Sequence, residues 1–192
     1  GDFVIMGGYL AFSLFNMGVG PIAALPIVAA VMFGFGWICY LLIIKRVIDN
    51  DMFVSLLATF GLSLFLQQVM NLIYGPEVQT IDSKFPILTM FDSFVTVPMA
   101  KVVSLLLAAG FAAIIIIFMK KSRTGQAIRA TAQDARAARV LGINTDRIYA
   151  FTFSLNAAIC SVSGVLVSII WVLQPFYGIV YSLRTFAIVT AA

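Results

Sequence analysis

Between Asp2 and Lys45 the chain carries no charged residue, an apolar run too long for one crossing of a bilayer. Its interruption at 16–21, where Gly18, Gly20 and Pro21 supply turn chemistry, divides it into two spans, at roughly 3–15 and 22–44. The first is expected to fall short of full length. Three further apolar stretches follow. One runs from Met52 to about Tyr74, where Gly75 and Pro76 stop a helix; the others cover about 102–119 and 148–173, the last ending before Pro175. A truncated sixth begins near Ile179. Hydrophobic residues make up 62% of the chain and charged residues 10%, against about 25% charged in a soluble domain, so water is not its main solvent. The expectation is an all-α polytopic membrane protein, with residues 1–192 forming a single transmembrane domain.

Charge gives the spans a direction. Lys45 and Arg46 close the second span. Lys120, Lys121, Arg123, Arg129, Arg136, Arg139 and Arg147, opposed only by Asp134 and Asp146, follow the fourth. An excess of Lys and Arg marks cytoplasmic loops, so both regions lie inside and the loop 75–101 outside. Gly1 is then expected near the cytoplasmic face and the stretch from Pro175 to Ser182 near the external one. The external loop, with Phe85, Pro86, Phe91, Phe94 and Pro98, is apolar enough to fold back onto the membrane surface. The sequence pI near 9.3 belongs to one loop between spans, which membrane orientation explains without nucleic acid. Histidine is absent, and Cys39 and Cys160 lie inside apolar runs, so neither a disulfide framework nor a metal site is expected. The chain opens on Gly1 and closes within an apolar run at Ala192, which reads as an internal piece of a longer protein with no signal peptide.

No Asp, Glu, Lys or Arg is expected within the spans, which argues against a carrier coupled to protons or sodium. Neutral polar residues do occur there. Thr59, Ser63 and Gln67 recur at intervals of four and share a helix face, and Asn156, Ser161 and Ser163 lie on the fifth span. Such a stripe either lines a solute path or joins helices, since small and polar residues favour helix contacts in membranes. Gly7 and Gly8, and Ser161 with Gly164, read as close-packing positions.

The basic segment 120–147 is the most discriminating. Gly125 and Gly142 bracket an Ala- and Arg-rich stretch without Pro or Gly, which favours helix. Asp134 either continues that helix, with no arginine placed to pair with it, or caps a second short one over 135–141. The segment suits docking to another protein; the alternative is an interfacial helix attracted to anionic lipid.

From Arg123 through Gln126-Ala-Ile-Arg129, Asp134-Ala-Arg136 and Arg139-Val-Leu-Gly142 to Arg147, the segment closely resembles the cytoplasmic loop of branched-chain amino-acid ABC importer permeases. Gly1-Asp-Phe-Val-Ile-Met-Gly-Gly-Tyr9, Ala58-Thr-Phe-Gly-Leu-Ser-Leu-Phe-Leu-Gln67 and the stretch from Gly178 through Leu183-Arg-Thr-Phe-Ala187 fit the same family. The chain departs from it at Lys45-Arg-Val-Ile-Asp-Asn-Asp51 and at Thr190-Ala-Ala192. The resemblance implies an ABC permease bundle with five complete spans, a truncated sixth and a cytoplasmic coupling helix. It implies a bacterial inner-membrane location and no catalytic residue. A second permease subunit would make a heterodimer, a periplasmic binding protein would deliver the solute, and separate ATPase subunits would use ATP. Residues Arg123, Gly125, Arg129, Ala130, Asp134, Arg136, Arg139, Leu141 and Gly142 would meet the ATPase, and Thr59, Ser63, Gln67 and Asn156 would line the path. Urea and short-chain amide permeases are similar. Outside the family, a carrier or channel working without ATP and a purely structural membrane subunit remain open.

Overall fold

The computed structural model describes residues 1–47, 52–77, 87–90, 95–174 and 176–191. Helix α1 (Asp2–Asn16) turns at Gly18, whose φ of +88° lets the Gly18 and Val19 N–H groups bond back to the Phe15 and Leu14 carbonyls. Helix α2 (Pro21–Cys39) then begins with proline at its first turn, where the missing N–H costs nothing, and passes through a π-helical turn at Tyr40–Ile44 into α3 (Lys45–Val47). Helix α4 (Met52–Tyr74) has the expected limits and ends at Gly75. Strands β1 (Ile87–Met90) and β2 (Val95–Pro98) pair antiparallel, a hairpin that the sequence reading of loop 75–101 did not contain. Phe85, Pro86, Phe91 and Phe94, expected at the membrane surface, lie outside the described residues. So does Pro175. Helices α5 (Met99–Lys121), α6 (Arg123–Gln133), α7 (Ala135–Val140), α8 (Thr145–Ile170) and α9 (Tyr177–Ala191) complete the chain.

Among the described residues four segments are long and apolar enough to cross a bilayer: Ala23–Val47, Phe53–Tyr74, Met99–Lys121 and Thr145–Ile170. Helix α1, with 15 residues, is shorter than a span. The bundle is organised around α8, which runs along α1 and α2. Its buried face, Ser154, Ala157, Ala158, Ser161, Gly164, Val165 and Ser168, is mostly small. A Cβ on Gly164 would run into the Val4 carbonyl, one on Gly7 into the Ser161 backbone, and one on Gly36 would lie 2.8 Å from Ala157 Cβ. The close-packing reading of Gly7 and Gly164 therefore holds. Serine hydroxyls on this face donate to their own helix, Ser154 to the Ala150 carbonyl and Ser161 to the Ala158 carbonyl, so they hide their polarity and permit backbone approach. Ala11, Ala24, Val28, Met32 and Val165 form the buried core between α1, α2 and α8.

Phe33 of α2 packs on Phe151, Tyr40 of the π-helical turn on Phe153, and Phe118 of α5 stacks on Phe151. Lys45, Arg46, Lys120, Lys121 and the segment 123–147 therefore gather at one end of the bundle, as the charge pattern requires. The outward faces of α4 and α5, among them Phe53, Leu57, Phe60, Leu72, Leu105, Leu106 and Ile114, are apolar and exposed, which suits hydrocarbon as solvent.

Two expectations are corrected. Asp2 and Arg184 are ionisable residues inside apolar helices, α1 and α9, so the bundle does carry charge. Moreover, Gly1 and Ser182 are in contact, and Gly178 abuts Asp2, so the two ends assigned to opposite faces meet. Charge counting reports the side on which a loop lies. It does not report the depth at which a helix begins. After α8 the chain turns back beside α1, with Leu173 against Gly8 and Gly178 against Asp2.

Candidate functional site

Two regions bring the sequence-derived residues together. The first is the element at the basic end. Ser122 caps α6 by accepting from the Gly125 N–H at 2.9 Å. Gly125 is buried where α6 meets the end of α5, and a Cβ there would lie 2.5 Å from the Met119 carbonyl oxygen. Ile128 and Thr131 continue the buried face, while Arg123 and Arg129 are exposed and Ala130 is half-buried. At Asp134 the backbone leaves the helix (φ −151°, ψ 105°), and its carboxylate accepts from the Arg136 and Ala137 N–H groups at 2.8 and 3.0 Å. Of the two readings the capping one holds: the stretch is two helices, and Asp134 is paired with backbone rather than unpaired.

Helix α7 ends as abruptly as it begins. Gly142, at φ +84°, donates to the Arg139 carbonyl and Ile143 to the Ala138 carbonyl, the double bond pattern that only a left-handed residue permits. Arg139 is tied down: its Nε donates to Thr145 Oγ1 at 2.6 Å and its guanidinium lies 3.7 Å from Asp146. Both charges of that pair are well exposed, so it contributes under about 1 kcal/mol. Arg136 stays exposed. The consequence is a rigid tip on which Val140 is 88% and Leu141 79% exposed. Two large aliphatic side chains this bare, flanked by arginines at a water-facing end, make an exposed apolar patch of the kind that marks interaction sites.

The second region is a polar seam between α1 and α4. Ser63 Oγ donates to Asp2 Oδ2 at 2.6 Å, and Gln67 Nε2 donates to Asp2 Oδ1 at 2.8 Å. Asp2 and Gln67 are buried. Because Ser63 and Gln67 stand in the middle of the segment Phe53–Tyr74, the Asp2 carboxylate lies level with mid-span. Tyr9, two turns on along α1, stacks on Tyr74 with ring centroids 4.6 Å apart. Among the described residues, the Tyr9 hydroxyl and the Asn71 carbonyl oxygen are buried without hydrogen-bond partners, one on each helix of the seam. Thr59 is not part of it: its hydroxyl returns to the Ser55 and Leu56 carbonyls of its own helix. Nor is Asn156, which lines a separate cavity of about 520 Å³ with Tyr40, Ile115, Met119 and Ile128. Sequence reasoning missed Asp2, although it is the one charge before Lys45. Among the described residues no group of His, Cys, Asp and Glu is arranged to hold a metal.

The family model of the permease component of branched-chain amino acid transport systems matches residues 1–191. The high-affinity branched-chain amino acid transport system permease protein LivH of Salmonella typhimurium is 30% identical over 206 residues, covering 97% of this chain and 65% of that protein. LivH of Escherichia coli K12 is 29% identical over the same shares, and the permease protein BraD of Pseudomonas aeruginosa 26%. The chain thus spans somewhat less than two thirds of the length of these relatives. No solved structure matches it. Four apolar helices of spanning length and a family match over nearly every residue agree that this is a multi-pass membrane protein belonging to the branched-chain amino acid transport permease family.

Proposed function

We infer that the chain is the core of a permease subunit in an ATP-driven importer of branched-chain amino acids in the bacterial inner membrane. The observation that carries this reading is the bare aliphatic tip, Val140 and Leu141, held between two capped helices at the basic end. An element of this kind converts a partner's movement into helix movement, because its joints to α5 and α8 are tight: Gly125 against Met119, and Arg139 on Thr145. The partner is an ATPase subunit, which binds and uses the ATP; a second permease subunit and a periplasmic binding protein complete the assembly. In this reading α1 serves as the first of five spans, α9 begins a sixth, and α6–α7 is the coupling element.

Ser63 and Gln67 belong to the solute path, with Thr59 nearer its basic end. Asn156 faces the cavity beside the coupling element, where a path opening to that side would pass. A neutral lining suits an amino-acid zwitterion, which carries no net charge. The Asp2 carboxylate favours a second reading, since an ion-coupled carrier needs an ionisable group at depth. Uptake of labelled leucine by the complete complex in proteoliposomes, with ATP inside and an uncoupler present, separates the two. The importer keeps its rate. Loss of uptake at constant ATP overturns that reading in favour of the carrier, and competition by urea but not by valine moves the solute to the amide class.

A further inference from the structure

We propose that Arg184, with Trp171, Tyr177 and Tyr181, forms a site for the carboxylate of an amino acid with an apolar side chain. Helix α9 is an apolar 15-residue helix whose one charge is Arg184. An arginine in such a helix is costly unless something occupies it. The Asp2 carboxylate, which lies against Gly178 of the same helix, is already held by Ser63 and Gln67, and among the described residues Arg184 has no acidic partner.

Tyr177, Tyr181 and Arg184 stand at i, i+4 and i+7 and so share one helix face. With Trp171 and Val180 they line an open cavity of about 270 Å³. The guanidinium offers a planar fork matched to two carboxylate oxygens, and the aromatic walls and Val180 offer a surface for an aliphatic side chain. A group of Trp, Tyr and Arg also suits the lipid headgroup region. Depth weighs against that reading. Tyr177 adjoins Gly178, which abuts Asp2, and Asp2 lies level with the middle of α4. The site therefore lies on the helix whose first turn abuts Asp2 of the α1–α4 seam.

The proposal rests on the importer reading and names which residues recognise its solute. The test uses the complete transporter, with all native cysteines including Cys39 and Cys160 replaced, and Val180→Cys as a reporter for a water-soluble maleimide. Leucine should slow labelling, and leucinamide, which has the same side chain and ammonium but no carboxylate, should not. Arg184→Gln should raise the leucine concentration for half-protection by about 10- to 100-fold, the value of a charged hydrogen bond. Arg184→Lys, which keeps charge but loses the fork, should lie between. Equal protection by leucinamide, or unchanged protection in Arg184→Gln, overturns the site. Labelling set by the phosphatidylglycerol content of the vesicles and indifferent to leucine overturns it in favour of a lipid contact. Should Arg184→Gln not assemble, the leucine–leucinamide comparison in the Val180→Cys protein decides alone. ATP-driven leucine uptake in the unsubstituted complex keeps the two ideas apart. Its presence without protection removes only the site, and its absence in the unsubstituted complex removes the importer reading itself.

Discussion

Replacing Gln67 with Leu should loosen α4 from α1 by about 1–2 kcal/mol. A neutral hydrogen bond between membrane helices contributes only about 0.6 kcal/mol on average, but a bond to a charged group is worth about 1.5–3 kcal/mol. Gln67 supplies one of two such bonds, at 2.8 Å, and Ser63 the other, at 2.6 Å. With Ser63 still in place the carboxylate keeps a partner, which puts the single substitution in the lower part of that range. Removing both donors in Ser63→Ala/Gln67→Leu strands a buried charge at mid-span, and the loss should rise to about 3–5 kcal/mol, more than the two single effects together. Adding Asp2→Asn to that pair removes the charge at constant size, which matters because Gly178 leaves no room for growth. Stability should then recover by at least about 1 kcal/mol, since an unpaired amide costs less than an unpaired carboxylate. The measurement is unfolding of the purified permease in mixed micelles against the mole fraction of SDS. No loss in Gln67→Leu, or no recovery on adding Asp2→Asn, refutes the seam as an energetic contact.

The remaining expectations concern packing, capping and docking. Gly164→Ala drives a methyl group into the Val4 backbone, which cannot yield as a side chain does, and should cost about 1–3 kcal/mol in the same titration; Gly61→Ala on α4, with open space around it, should cost nothing. Asp134→Ala deprives two N–H groups of their acceptor and should destabilise α7 by about 0.5–2 kcal/mol, seen as faster hydrogen exchange at Arg136 and Ala137, whereas Asp134→Asn should exchange nearly as the parent does. Val140→Asp with Leu141→Asp should abolish co-purification of the ATPase yet leave membrane insertion and thermal stability unchanged, because neither side chain packs within the chain. Normal ATPase yield in that variant would move the docking surface elsewhere.

What the sequence made legible is what neighbours in sequence decide. Gly18 and Pro21 punctuate the α1–α2 turn, Gly75 stops α4 where a glycine should, and the Ala-rich stretch after Gly125 is helical. Asp134 shows the limit of that locality. The same residues permit a continuous helix or a cap, and the choice lies in one pair of backbone angles at Asp134. The polar face of α4 was visible as a spacing, but its meaning was not, because the group it serves is 61 and 65 residues away. Charge counting set Asp2 aside as a boundary marker, whereas burial depends on which helix stands beside it. That correction also changes the choice between a solute path and interhelical glue, which the spacing posed as alternatives. Helix α4 has few buried residues, and at mid-span it meets α1 through hydrogen bonds to one carboxylate, while farther along Met70 and Tyr74 pack against Ile5 and Tyr9. A contact of that kind holds firmly while its donors are in place. Its polar part can exchange partners, since a zwitterion or water satisfies the same donors and acceptors. On the proposed importer reading, joining helices and admitting solute are two states of one set of hydrogen bonds.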